Sequence, residues 1–204
     1  MTSVTPLTRS RRDIPACCVD CVYWQTLRGA SDSRRKTEWA RDVESRFGAY
    51  GRVLSEGDDF RGMLQYGPAN AFPRAQALPA GPPDAGAALI TCVFLEGEDP
   101  VGTCERLLLE ALADLKARRF HAVEAFALRD DDAPLAERVA GHHTLLDASI
   151  LTRLGFSPVR SQGPVTLMRL PVGGLVGTRE RATAARVRRL LGRLVPPAET
   201  PTPA

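Results

Sequence analysis

Ala87-Ala88-Leu89-Ile90-Thr91-Cys92-Val93-Phe94-Leu95 is apolar almost throughout, as a strand buried on both faces should be. A turn ends at Val101-Gly102-Thr103. From Cys104 to Arg118 the apolar residues recur at 104, 107, 108, 111, 112 and 115, the spacing of one helix face. His121 to Leu128 then reads as a second apolar strand, and Leu154-Gly155-Phe156 comes later. A strand, a glycine turn and a helix in this order aim free backbone N–H groups and the positive helix end at one point, a place for a phosphate or another anion. The plainer reading is that Gly102 simply permits a tight turn.

Outward from this unit the periodicity predicts further elements. Cys18 to Trp24 reads as a first strand. Ser33 to Phe47 reads as a helix, with Trp39, Val43 and Phe47 on one face and Gly48 closing it. Tyr50 to Leu54 and Phe60 to Tyr66 read as a hairpin around Glu56-Gly57-Asp58. The Pro- and Ala-rich run from Phe72 to Pro83 should lie across the surface, and Asp130-Asp131-Asp132 marks a solvated break. A helix is expected from about Thr144 to Leu154, then closing strands at 158–160 and 165–170. Three units result: residues 1–15 as a polar, disordered arm, 16–172 as one domain, and 173–204 as a basic amphipathic helix with a disordered end.

Composition narrows the classes of function. A chain of 204 residues supports one well-buried α/β core. It contains no apolar run of the roughly 18 residues a membrane span needs, and the Arg-containing start lacks the apolar centre of a signal peptide. Five cysteines, an odd count, suit a reducing cytoplasm better than a disulfide framework. The net charge of +3 is not uniform. Residues 173–204 hold six Arg against two Glu, leaving 21 basic and 22 acidic residues before them. A neutral body argues against nucleic-acid binding. The tail helix would pack its leucines on this chain or on a second copy, as in a homodimer.

The order of these elements resembles the GNAT superfamily of N-acetyltransferases. Gly102-Thr103-Cys104 stands where that family has Gly-x-small in its pyrophosphate loop, and Thr152-Arg153-Leu154-Gly155-Phe156 matches its Gly-Phe ending. Cys18-x-x-Cys21, with Trp24 following, is similar to the start of an actinobacterial subgroup. The resemblance implies a single acyl-CoA N-acyltransferase-like α/β domain with a mixed central sheet and flanking helices. It implies acetyl-CoA as co-substrate, with the backbone of Val93, Phe94 and Leu95 orienting its acetyl and pantetheine portion. Amides of Val101, Gly102, Thr103, Cys104, Glu105 and Arg106 would hold the pyrophosphate. The implied reaction is direct transfer to an amine of a small molecule or protein, aided by a backbone oxyanion donor.

The chain also departs from the family. Asp99 stands where Arg or Gln is usual, with Glu96 and Glu98 beside it, and Pro100 removes an amide donor. Each acid near a pyrophosphate costs on the order of 1 kcal/mol in wet surroundings. Leu151 replaces the Tyr that often serves as general acid. His143, with His142 beside it, and Glu124 are the candidates for acid–base work, since imidazole titrates near neutrality and a buried carboxyl has a raised pKa. Against these stand a solvated helix start for the histidines and a solvent-facing strand position for Glu124. Tyr66-Gly67-Pro68 and Phe72-Pro73-Arg74 would shape an acceptor pocket, with Arg74 for an acidic group. The departures support a second class of function, a catalytically silent ligand- or protein-binding module. Cys18 and Cys21 have a zinc-pair spacing, but no second pair exists and Cys92, Cys104, His142 or His143 would have to complete a set of four. Buried thiols are the simpler reading, and no metal is assigned.

Overall fold

The computed structural model describes residues 1–11, 13–129 and 132–172; the basic tail expected at 173–204 lies outside them. The sheet begins earlier than the sequence suggests. Within the stretch expected as a disordered arm, β1 (Thr2–Pro6) pairs antiparallel with β2 (Gly51–Glu56), Val4 opposite Leu54, and Leu7 behind it is buried. The misreading has a physical source, because an edge strand with one wet face carries polar residues like those of a loop. Nor is Cys18–Trp24 a strand. Its first residues end the short helix α1 (Ala16–Val19), and the chain then turns through an isolated bridge between Cys21 and Ser31.

Helix α2 (Ser33–Phe47) has the expected bounds. Asp32 caps it by accepting the Arg35 N–H at 3.0 Å, and Gly48 leaves it with φ +87°. β2 and β3 (Asp59–Pro68) form the expected hairpin. The Pro- and Ala-rich run that follows does not stay on the surface. It includes α3 (Pro73–Ala77), and it buries Phe72, Ala75 and Ala80 against the sheet.

The central unit is β4 (Ala88–Leu95), α4 (Pro100–Ala117) and β5 (Ala122–Leu128). After it come α5 (Leu135–Val139), β6 (Gly141–His143), β7 (Leu146–Asp147) and α6 (Ala148–Arg153). β8 (Ser157–Gln162) and β9 (Val165–Pro171) close the domain. α6 starts later than the expected Thr144 because Asp147 caps it, accepting the Ser149 and Ile150 N–H groups at 2.8 and 3.2 Å. The sheet order is β1-β2-β3-β4-β5-β9-β8, with β6 on β4 and β7 on β5.

Each sheet face has its own core. On one, Leu107, Leu108, Leu112 and Leu115 of α4 pack against Ile90, Val123 and Leu64. Tyr66 also donates to Asp114 at 2.7 Å, and Arg52 and Arg118 reach the same carboxylate at 2.8 and 2.7 Å. The other face is aromatic under α2: Trp24 stacks on Phe126 at 6.0 Å and Trp39 meets Tyr50 edge-on at 5.1 Å. No described helix is long and apolar enough to cross a membrane.

Candidate functional site

β4 and β5 run parallel but pair only from Ala88–Val123 to Ile90–Ala125. Beyond Ile90 they diverge. A bulge marks the point: Gln65 faces Cys92 and Tyr66 faces Ile90, leaving Thr91 without a partner in β3. Thr91 Oγ1 donates to the Gln65 carbonyl, and Gln65 Nε2 donates back to that hydroxyl, both at 3.2 Å. The splay is the place where the backbone of Val93, Phe94 and Leu95 was expected to receive a cofactor.

The chain itself takes that place. β6 pairs with the diverging half of β4, placing His143, His142 and Gly141 opposite Val93, Phe94 and Leu95, while β7 follows β5. On the other edge the same β4 residues pair with Leu64, Met63 and Gly62. A strand paired on both edges has no row of peptide groups to offer a ligand. In this arrangement both edges of Val93–Leu95 carry partners from the same chain.

The residues expected to hold a pyrophosphate open α4. Val101, Gly102 and Thr103 do not precede the helix; they form its first turn, because Asp99 is the cap and Pro100 the first helical residue. The Thr103 N–H bonds to the Asp99 carbonyl at 3.1 Å. Amides of Cys104, Glu105 and Arg106 lie inside the helix, where they serve the i−4 carbonyls. Gly102 N–H is held by Asp99 Oδ1 at 2.9 Å, so the protein's own carboxylate occupies the anion position. A Cβ at Gly102 would collide with the Asp99 carboxylate. Cys104 is buried in the core, its thiol pushed up to about 12 by burial, then by Glu105 and Asp147. Glu105 pairs with Arg153 at 2.9 Å. Arg106 Nε is buried without a hydrogen-bond partner, and nothing in the structure explains it. As arranged, these residues do not fit acetyl-CoA in the family's manner.

The candidate acid–base residues are not brought together. Glu124 is buried, which overturns the solvent-facing reading. It lies where β4 and β5 are still paired, opposite Leu89. Its carboxylate accepts the Asp84 N–H at 2.8 Å and Arg169 Nη1 at 3.2 Å. Arg169 also reaches Asp84 and His121. That network makes Glu124 an anchor for the 84–86 loop. His143 donates through Nε2 to the Ala140 carbonyl at 2.6 Å. The two histidines sit on a strand, not at a solvated helix start. Leu151, at the Tyr position, is enclosed in the core. Arg74 is not free for an acidic group; it stacks on Tyr23 at 4.2 Å and donates to Tyr23 and Gly29 carbonyls.

Two hollows remain. One of about 180 Å³ lies between the end of β5, α6 and the β8–β9 pair, lined in part by Arg129, Ser149, Thr152 and Thr166. No residue singled out in the sequence as a functional group lines it. The other, of about 10 Å³, lies beneath α2 at the bulge, and Cys18, Cys21, Cys92, His142, Lys36 and Gln65 wall it. Sequence reasoning named its four metal-binding candidates but had no signal to join them.

No protein-family model and no curated protein matches the chain. Solved structures do. An N-acetyltransferase from Staphylococcus aureus Mu50 is similar at 13% identity and TM-score 0.51, over 84% of this chain and 99% of that one. A protein designated an acetyltransferase from Acinetobacter baylyi ADP1 is similar at 12% identity and TM-score 0.51, over 84% and 93%. Another so designated, from Salmonella typhimurium and solved with its cofactor acetyl-CoA, is similar at 11% identity and TM-score 0.50, over 86% and 96%. At such identities the likeness is one of fold. The fold is the acyl-CoA N-acyltransferase-like one: a single α/β domain with a mixed central sheet flanked by helices.

Proposed function

We propose that this chain is a GNAT-superfamily protein, of the subgroup with a Cys-x-x-Cys start, whose acetyl-CoA cleft is closed by its own residues 141–147, and that it works as a ligand- or protein-binding module rather than as an acetyltransferase. One observation carries the reading: β6 pairs with the edge of β4 that a cofactor would need. The Asp99 carboxylate on Gly102 N–H points the same way. The absence of an acid at Leu151 removes a further part of the family's chemistry.

A second reading is acetyl-CoA-dependent transfer to an amine, small-molecule or protein, in a state with β6 withdrawn. It is favoured by the shortness of β6, three residues, and by the φ of +83° at Gly141, which suits a hinge. The acetyl-CoA of the Salmonella neighbour supports it by analogy alone. A cytoplasmic setting suits either reading.

Titration calorimetry with acetyl-CoA separates the two, with desulfo-CoA and Gly102→Trp as controls. The binding-module reading expects no saturable heat up to about 1 mM. Binding in the micromolar range that Gly102→Trp abolishes would replace it with the acetyltransferase reading.

A further inference from the structure

The small hollow beneath α2 gathers groups from four separate parts of the chain. Cys18 comes from α1 and Cys21 from the turn after it; Cys92 follows the β4 bulge, and His142 stands on β6. All the cysteines are free thiols. Three sulfurs and one imidazole are a complete donor set for a tetrahedral structural zinc site, and soft sulfur ligands select such a metal.

The surroundings of the hollow call for negative charge. Lys36 brings its ammonium to the wall, where Nζ donates to the neutral Gln65 Oε1 at 3.1 Å and lies 5.1 Å from the Trp39 ring centre. No carboxylate among the described residues pairs with it. Two more wall residues carry buried donors without acceptors, Trp24 Nε1 and Gln25 Nε2; Trp24 is 1% exposed. An orphaned buried N–H is costly. Neutral thiols are poor acceptors, whereas metal-bound thiolates are good ones.

We propose that Cys18, Cys21, Cys92 and His142 bind one Zn²⁺, with Lys36, Trp24 and Gln25 supporting the thiolates. Binding releases three protons, one from each thiol, and forms three Zn–S bonds and one bond to a neutral imidazole nitrogen. Three thiolates against a dication leave one negative charge, which the Lys36 ammonium balances. The volume of about 10 Å³ admits a single ion and little else. Among the described residues no group of three or more His, Cys, Asp or Glu is arranged so that it could hold a metal, so the proposal requires these side chains to move. The sulfurs therefore turn onto the ion as they lose their protons, and the ion ties the irregular 16–31 segment to β4 and β6. This site rests on β6 being paired with β4, as in the binding-module reading, because withdrawing β6 would carry His142 away; zinc content is nonetheless read separately from acetyl-CoA binding.

The test is metal analysis of the full chain purified without chelators from zinc-supplemented cells, by plasma mass spectrometry. The expected result is about one zinc per chain, lost in Cys21→Ser and in Cys92→Ser but kept in Cys104→Ser, whose thiol lies in the other core. Cobalt added to the metal-free wild type should give the sulfur-to-metal charge-transfer and intense visible bands of a tetrahedral thiolate site. That measurement does not depend on whether the variants fold. Wild type without zinc and without those cobalt bands overturns the proposal, as does zinc retained by both cysteine variants.

Discussion

The two halves of β4 contrast sharply. Ala88 to Ile90 is paired on both sides by its sheet neighbours, and Ile90 packs beneath the leucines of α4. Val93 to Leu95 is just as apolar, but its second partner is a three-residue strand from some 50 residues further along the chain. Both halves obey the same local chemistry. They differ in the completing partner: β5 is a full strand, Ala122–Leu128, whereas β6 is only Gly141–His143, and the proposed function turns on that weaker completion.

The largest expected effect breaks the first half. Ile90→Ala leaves a cavity at a fully enclosed position and should cost about 3 kcal/mol in urea unfolding; Phe94→Ala, at a partly exposed position in the second half, should cost about 1 kcal/mol. Equal losses would dissolve the contrast. Next is the anchor of the paired half. Arg169→Met strands the buried Glu124 carboxylate and should cost about 2 kcal/mol, read by thermal or urea unfolding, with acetyl-CoA binding unchanged.

The second half responds at its helix. Asp99→Ala removes a cap worth about 1 kcal/mol and frees the Gly102 N–H, so stability should fall while affinity for inorganic pyrophosphate, measured by calorimetry, rises. The smallest effect concerns the segment that completes the second half. Asp147 pairs with Arg138 at 2.8 Å. Burial raises its pKa, but Arg138, Ser149 and the N–H groups of Ile150 and Ser149 outweigh this and hold it below its usual 3.8. Its contribution is therefore complete above about pH 4 and is lost as the pH falls through the lower folded value. Asp147→Asn should cost under about 1 kcal/mol at neutral pH and flatten the acid limb of the unfolding curve; an unchanged limb would show that the pair contributes nothing.

Legibility in the sequence follows the same division. α2, the β2–β3 hairpin, β4, β5 and the Gly-Phe ending could be read because local periodicity and end signals specify them. The start of α4 is legible too: Asp99-Pro100 is a cap followed by a first-turn proline, with Gly102 inside the first turn. β1 was hidden by its polar edge. β6 was hidden because Gly141-His142-His143 has no strand pattern of its own and becomes one only on β4. The joining of Cys18, Cys21, Cys92 and His142 depends on that same pairing.

The pairing of β6 with β4 also sets a number for any competitor. A segment tethered to its own target acts at an effective concentration of millimolar or more, and no dilution removes it. If the closed form outweighs the open one by about 100 to 1, near 2.7 kcal/mol, a ligand with intrinsic micromolar affinity for the open edge would show about 0.1 mM. Under the proposed function, β6 would act as an inhibitor carried in cis, and shortening or unpairing it would be the way to lower its dose.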